Sequence, residues 1–248
     1  MILRAVALVF LVLAATCDPG FAAGVTIMAE DAAPPFSLAD GTGFANDVVR
    51  AAFKAAGVDV AFDAVPYARC KKDVEDGKVA GCFGMSWYKG VETSVAFSDQ
   101  PIFSVHVDVF LARRTSGVSR AEDLPAGSAI GIVNEYEYPD AVYNLRHSGM
   151  VLQAGRNDIT NLKLLARGRL DAAIVMTNDL VPLMQKAIQA GVESQVAYGF
   201  RLGYEDSFIG FSRKHPQGEA MRRSFNEGYK RILVDGTVDM LRRKWVAQ

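Results

Sequence analysis

The stretch Gly43–Ser86, GFANDVVRAAFKAAGVDVAFDAVPYARCKKDVEDGKVAGCFGMS, decides the fold. Its first part sets Val48, Val49, Ala52, Phe53 and Ala56 on one side at helical spacing and stops at Gly57. VDVAFDAVP then reads as a strand ended by Pro66, YARCKKDVEDG as a short helix closed by Gly77, and VAGCFGMS as another strand. Upstream, GVTIMAE (24–30) is a β-rich run that stops short of Pro34-Pro35. Strand, helix, strand, helix, strand is the signal of a parallel sheet covered by helices.

The alternation then starts again. AEDLPAG (121–127) is a turn, SAIGIV a strand, Asp140–His147 a helix and MVLQAG a short strand. DITNLKLLARG (158–168) carries Ile159, Leu162, Leu165 and Ala166 on one face, RLDAAIVM is a strand, and DLVPLMQKAIQAG a further helix. The tail supplies one strand, SFIGFS, and two helices, through EAMRRSFNEGYKRIL and VDMLRRKWVAQ. With no low-complexity linker and no short repeat, the pattern predicts two similar α/β lobes, the tail adding elements to one of them.

The first residues read as an address. Arg4, an apolar run from Ala5 to Ala15 and small residues around Gly20-Phe21-Ala22-Ala23 make a secretory signal peptide over residues 1–22, too short for the roughly 20 apolar residues that span a bilayer. Cys17 would serve a lipoprotein, but Thr16 before it is bulkier than such processing prefers. The chain has 27 basic and 28 acidic residues, and the leader removes one of each. That balance calls for neither nucleic acid nor an anionic membrane surface as partner. A soluble, exported, monomeric protein is expected. Cys70 and Cys82 lie beyond the leader; an even count in an oxidising compartment fits a disulfide, and two small buried hydrophobes fit equally. The pair meets only if its helix and its strand face the same interlayer space.

Ordered phrases along the whole mature chain resemble the family-3 bacterial extracellular solute-binding proteins, the receptors of polar amino-acid ABC transporters. APPFS (33–37) is similar to the family's Pro-Phe phrase after the first strand, and GFANDV (43–48) to its Gly-Phe-x-x-Asp. DGKVAG and ARGRLDAAIV resemble the phrase that opens one strand in each lobe, and FSDQP (97–101) the Phe-Ser-Asp-Pro region with one residue added. AEDLPAGSAIGI resembles the entry to the second lobe, and DGTVDMLRRKW the closing helix. The resemblance implies an α/β, two-lobed clamshell of type II, with mixed, mostly parallel sheets and helices on both faces. Residues 23–112 and 199–248 would form lobe 1, residues 113–198 lobe 2, and the ligand would bind between them, at the C-terminal ends of strands.

Two departures bear on the ligand. In the amino-acid receptors of this family an arginine six residues before the Phe-Ser-Asp phenylalanine grips the α-carboxylate; here that position is Val91, with Lys89 the nearest cation. The carboxylate for the α-ammonium lies five residues after the Asp of Gly-x-x-Asp; here that position is Met176. Losing a bidentate guanidinium removes charge-assisted bonds, so plain α-amino acids are expected to bind poorly.

The residues left near strand ends form the expected ligand set: Glu30, Phe36, Tyr67, Arg69, Ser86, Trp87, Tyr136, Tyr138, Thr177 and Asn178. PYARC and NEYEY resemble a branch of the family with Pro-Trp-x-Arg and Gly-Tyr-x-Tyr at these places. Arg69, in the first turn of its helix, would anchor an anionic group; equally, it would pair with Asp73 at i+4. The aromatic residues would stack on a small polar or aromatic solute. Enzyme chemistry has little support: His106, His147 and His215 have no spaced partners, and no glycine loop cradles a phosphate. No metal or cofactor is expected. A solute receptor for an ABC-type permease is the leading expectation. Its alternatives are an exported enzyme like the cyclohexadienyl dehydratases of this fold class, with Glu30, Asp31 or Glu135 as acid, and an accessory or sensor-partner protein.

Overall fold

A computed structural model describes residues 25–115 and 117–246, and the signal-peptide reading of residues 1–22 lies outside them. β1 (Val25–Glu30) leads through the two-residue strands β2 (Ala32–Ala33) and β3 (Ser37–Leu38) into α1 (Phe44–Ala55). The chain continues through β4 (Val60–Val65), α2 (Tyr67–Asp76), β5 (Gly81–Met85), β6 (Val95–Phe97) and β7 (Phe103–Ala112). Next come β8 (Ala129–Val133), α3 (Asp140–His147), β9 (Val151–Gly155), α4 (Asp158–Ala166), β10 (Ala172–Thr177) and α5 (Gln185–Ala190). β11 (Val196–Ser212), α6 (Gly218–Val234) and α7 (Thr237–Val246) complete it.

The strands lie in the order β4-β1-β5-β11-β7-β10-β8-β9. β1 pairs in parallel with β4 and β5, and β8 in parallel with β9 and β10. These two parallel units are the lobes, each built from strand–helix–strand crossovers as the periodicity predicts. Two long antiparallel strands join them. β11 pairs with β7 from Val196 to Ser207, then with β5 and β6 up to Ser212. β7, which the sequence division gives to lobe 1, hydrogen-bonds along its length to β10 and β11.

Helices cover both faces of each unit because neighbouring residues on a buried strand point opposite ways. In β1, Ile27 and Ala29 join the core under α1 and α6, with Val48, Phe53 and Phe225, whereas Met28 packs with Val65, Cys70 and Val74 under α2. In β10, Ile174 and Met176 face the side of α3, with Val142 and Leu145, while Ala173 and Val175 pack against Leu162 and Leu165 of α4 and Ala187 of α5. Of the helix expected over DLVPLMQKAIQAG (179–191), only Gln185–Ala190 forms, and Pro182 keeps the residue before it out of the helical conformation.

One glycine fixes the entry to the site. Gly43 has φ +145°, and a Cβ there would lie 2.1 Å from the Phe36 carbonyl oxygen. Only glycine lets α1 start against the loop carrying Phe36. The Phe36 ring then stacks on Phe103 of β7, centroids 3.8 Å apart.

Candidate functional site

A cavity of about 70 Å³ lies between the lobes where the strands end. From the first lobe come Glu30, then Pro34, Phe36 and Ser37 of the β2–β3 region beyond β1, Tyr67 beyond β4, and Gly84 and Ser86 at the end of β5. The second lobe adds Tyr136 and Glu137 beyond β8, Met176 of β10 and Lys186 in the first turn of α5. The joining strands contribute Phe103, Val105, Glu205 and Ser207. Glu205 pairs in register with Val105, and Ser207 with Phe103, so all four side chains leave one face of the ribbon.

Side chains bridge the two lobes across this cavity. The Tyr136 hydroxyl donates to Glu30 Oε1 at 2.5 Å, and the Tyr67 hydroxyl donates to Glu137 Oε2. Lys71 of α2 approaches Glu137 Oε1 at 2.8 Å. Tyr67 and Tyr136 meet edge to face, centroids 5.3 Å apart.

Burial sets the protonation of the carboxyl groups. It pushes Glu30 up to about 7, against the opposing pull of the Tyr136 hydrogen bond and of Lys186. Glu205 is pushed up to about 7 by burial, then by the charges of Glu137 and Asp206. Burial also raises Glu137 against the pull of Lys71, and it holds the hydroxyls of Tyr67 and Tyr136 well above the usual range. Lys186 is held by Asp158. Neither Glu30 nor Glu205 has an ion-pair partner among the described residues. Ser37 Oγ is buried in the cavity wall without a hydrogen-bond partner.

Five of the ten expected ligand residues line the cavity: Glu30, Phe36, Tyr67, Ser86 and Tyr136. The other five stand outside its lining, each for a visible reason. Arg69 turns from the cavity to Asp73 at 3.4 Å, with 64% of its side chain exposed, which is the i+4 pairing rather than the anion anchor. Trp87 is 56% exposed and leans on Phe97. Tyr138 is buried and accepts the Val133 N–H at 2.8 Å, supporting the loop of Tyr136 from behind. Thr177 donates to Asp108 at 2.5 Å, and Asp108 is fully buried against Arg201 at 2.8 Å. Asn178 accepts the Leu180 N–H at 2.9 Å and shapes the turn after β10.

Sequence reasoning missed Glu137, Lys186, Phe103 and Glu205. For Glu137 a signal existed: it stands between two expected tyrosines in NEYEY. Lys186, Phe103 and Glu205 follow no strand end and gave none. At the two clamp positions, Val91 is buried in the core with Cys70, Met85 and Val95, whereas Met176 is in the cavity wall. Cys70 and Cys82 are joined in a disulfide, Cα atoms 5.8 Å apart, in the layer between α2 and the sheet. No group of three or more His, Cys, Asp or Glu residues is placed to hold a metal ion among the described residues. Likewise, none of the described helices is long and apolar enough to cross a membrane.

Residues 25–248 match the family model of the bacterial extracellular solute-binding proteins, family 3. No curated protein sequence matches the chain. Among solved structures, an ancestral arginine-binding protein bound to arginine is similar with a TM-score of 0.75 at 21% identity, covering 90% of this chain and 97% of its own. A histidine kinase sensor domain with similarity to periplasmic binding proteins superposes with a TM-score of 0.75 at 19% identity, over 90% of this chain and 95% of its own. An ancestral amino acid-binding protein, a precursor of cyclohexadienyl dehydratase, gives 0.72 at 20% identity, over 90% and 95%. At these identities the likeness is one of fold.

Proposed function

Because the chain belongs to the family-3 bacterial extracellular solute-binding proteins, we propose that it captures a small polar or aromatic solute reversibly between its lobes and presents the closed form to an ABC-type membrane permease. The observation that carries this reading is the cavity itself, with walls from both lobes and tyrosine–carboxylate bridges across it. A solute that touches both walls stabilises the closed arrangement over the open one by its differential affinity, and closure is then what a partner reads. Phe36 and Phe103 give a flat apolar wall, and Tyr67 and Tyr136 give aromatic surface that carries its own polar tips. With the family comes export: residues 1–22 act as the leader, and the mature chain works as a monomer in the periplasm. The lobes divide within the β7–β11 ribbon, near Phe103 and Ser207, where β11 passes from one set of partners to the other.

The same cavity favours one second reading. Carboxyl groups poised near pH 7 in a closed cleft suit proton transfer, as an exported dehydratase would need. One experiment separates the two. Purified protein is incubated with a metabolite extract, desalted and weighed intact under native conditions, and the supernatant is profiled over time. Capture gives a one-to-one adduct that is released unchanged on denaturation. Catalysis gives a metabolite that declines and a product that grows. No adduct and no turnover across extracts would overturn both and leave an accessory role.

A further inference from the structure

The charged groups around the cavity do not balance, and the imbalance points to the sign of the ligand. Three carboxyl groups line it, Glu30, Glu137 and Glu205, against one ammonium, Lys186. Asp158 already occupies that ammonium, and Lys71 answers Glu137 from outside the lining. Glu30 and Glu205 are left without a cation of their own among the described residues. In the same cavity wall the buried hydroxyl of Ser37 has no partner among the described residues, although a buried polar atom left unpaired costs about 1–3 kcal/mol. An anion entering here would meet three carboxyl groups and one committed lysine, with the hydroxyls of Tyr67, Ser86 and Tyr136 already donating elsewhere. A group with N–H donors and a positive charge would satisfy Ser37 Oγ and the free carboxylate oxygens together, with aromatic faces around it.

Resting on the reading of the protein as a solute receptor, we propose that its ligand is a small organic cation, an amine or a guanidine on an apolar or aromatic body, held by Glu30, Glu205 and Glu137 through its N–H donors and by Phe36, Tyr67 and Tyr136 through its body. This replaces the anionic solute expected from Arg69, which the fold turns away from the cavity. It also sets the ligand apart from a plain amino acid: with Val91 in the core and Lys186 committed, no free cation among the described residues of the lining receives an α-carboxylate.

Cation binding carries a proton signature. Glu30 is surrounded by Tyr136, Lys186, Asp158 and Asp31, and Glu205 by Glu137, Asp206 and Ser86. In both sites burial holds a large fraction of the carboxyl groups protonated at pH 6.5. An incoming cation favours their ionised form, so a proton leaves as the ligand enters.

The test is a panel of small amines and guanidines, each with the carboxylate and the alcohol of the same skeleton, assayed by thermal shift and by calorimetry in two buffers of different ionisation heat. Expected are stabilisation by members of the cationic arm alone, proton release at pH 6.5 that fades by pH 9, and at least tenfold weaker binding in Glu205→Gln. If Glu205→Gln fails to fold, Glu30→Gln reads the same loss. Binding confined to the carboxylate or alcohol arm overturns the cation inference and leaves the receptor reading standing. Uptake of protons on amine binding, or equal affinity of the wild type and both variants, also overturns it. Silence in all three arms overturns the cation inference, while the receptor reading stands or falls on the extract experiment.

Discussion

Glu30 is buried at the seam between the lobes, and it makes stability depend on pH in a direction opposite to that of most carboxylates. Burial raises its carboxyl from 4.5 to about 7. A raised carboxyl pKa means that the folded state prefers the protonated form. Its contribution is therefore fully present below about pH 4.5 and is lost as pH rises through 7. At about 1.36 kcal/mol per pH unit, the difference between the two values amounts to about 3 kcal/mol, most of it lost between pH 5 and pH 8. Glu30→Gln keeps an acceptor for the Tyr136 hydroxyl and removes the titration. The variant should match the wild type near pH 4.5 and exceed it by about 3 kcal/mol at pH 8. Urea unfolding across pH 4.5–8 reads this as a midpoint shift of about 1 M at the alkaline end, taking a slope near 2–3 kcal/mol/M. Glu205 and Glu137 are raised in the same direction and tilt both curves alike, so the difference between the proteins isolates Glu30. The carboxylates held low, Asp40, Asp73, Asp76, Asp123, Glu219 and Asp235, act at more acidic pH, outside this window. A constant difference between variant and wild type from pH 4.5 to 8 would refute the placement of Glu30 in a desolvated seam.

Other perturbations read other parts of the molecule. Replacing Cys70 and Cys82 together by serine opens a loop with a sequence separation of 12 and should cost about 3 kcal/mol in chemical unfolding, and in the unsubstituted, unreduced protein intact mass and peptide mapping after alkylation should show neither Cys70 nor Cys82 labelled. Arg69→Ala removes only an exposed pair with Asp73, so stability should stay within about 0.5 kcal/mol and solute affinity within twofold; a tenfold loss of affinity would return Arg69 to the cleft. Asp108→Asn strips the fully buried partner of Arg201 and Thr177, and thermal unfolding should register a loss of about 3–5 kcal/mol.

What the sequence disclosed, and what it kept back, divides along a physical line. Local periodicity and glycine stops fix elements whose faces are decided by near neighbours, which is why α1, α2, α3 and α4 and the strands between them were readable. The site residues that follow a parallel strand were readable for the same reason: Glu30, Phe36, Tyr67, Ser86 and Tyr136 all sit where a strand hands over to a loop. β11 was readable only in part, because only its tail, SFIGFS, looks like an isolated strand, while VAYGFRLGYED carries charge and glycine that solvent tolerates on a twisted ribbon. With that ribbon went Phe103 and Glu205, whose direction is set by a register between residues about a hundred positions apart. Arg69 erred the other way. A helix N-terminus and a guanidinium made a plausible anion site on local grounds, but Asp73 one turn on is always at hand, whereas a ligand must first bring the lobes together. Local pairing wins wherever both are offered. Glu30 and Glu205, which no cation pairs among the described residues, are therefore the better guide to the ligand.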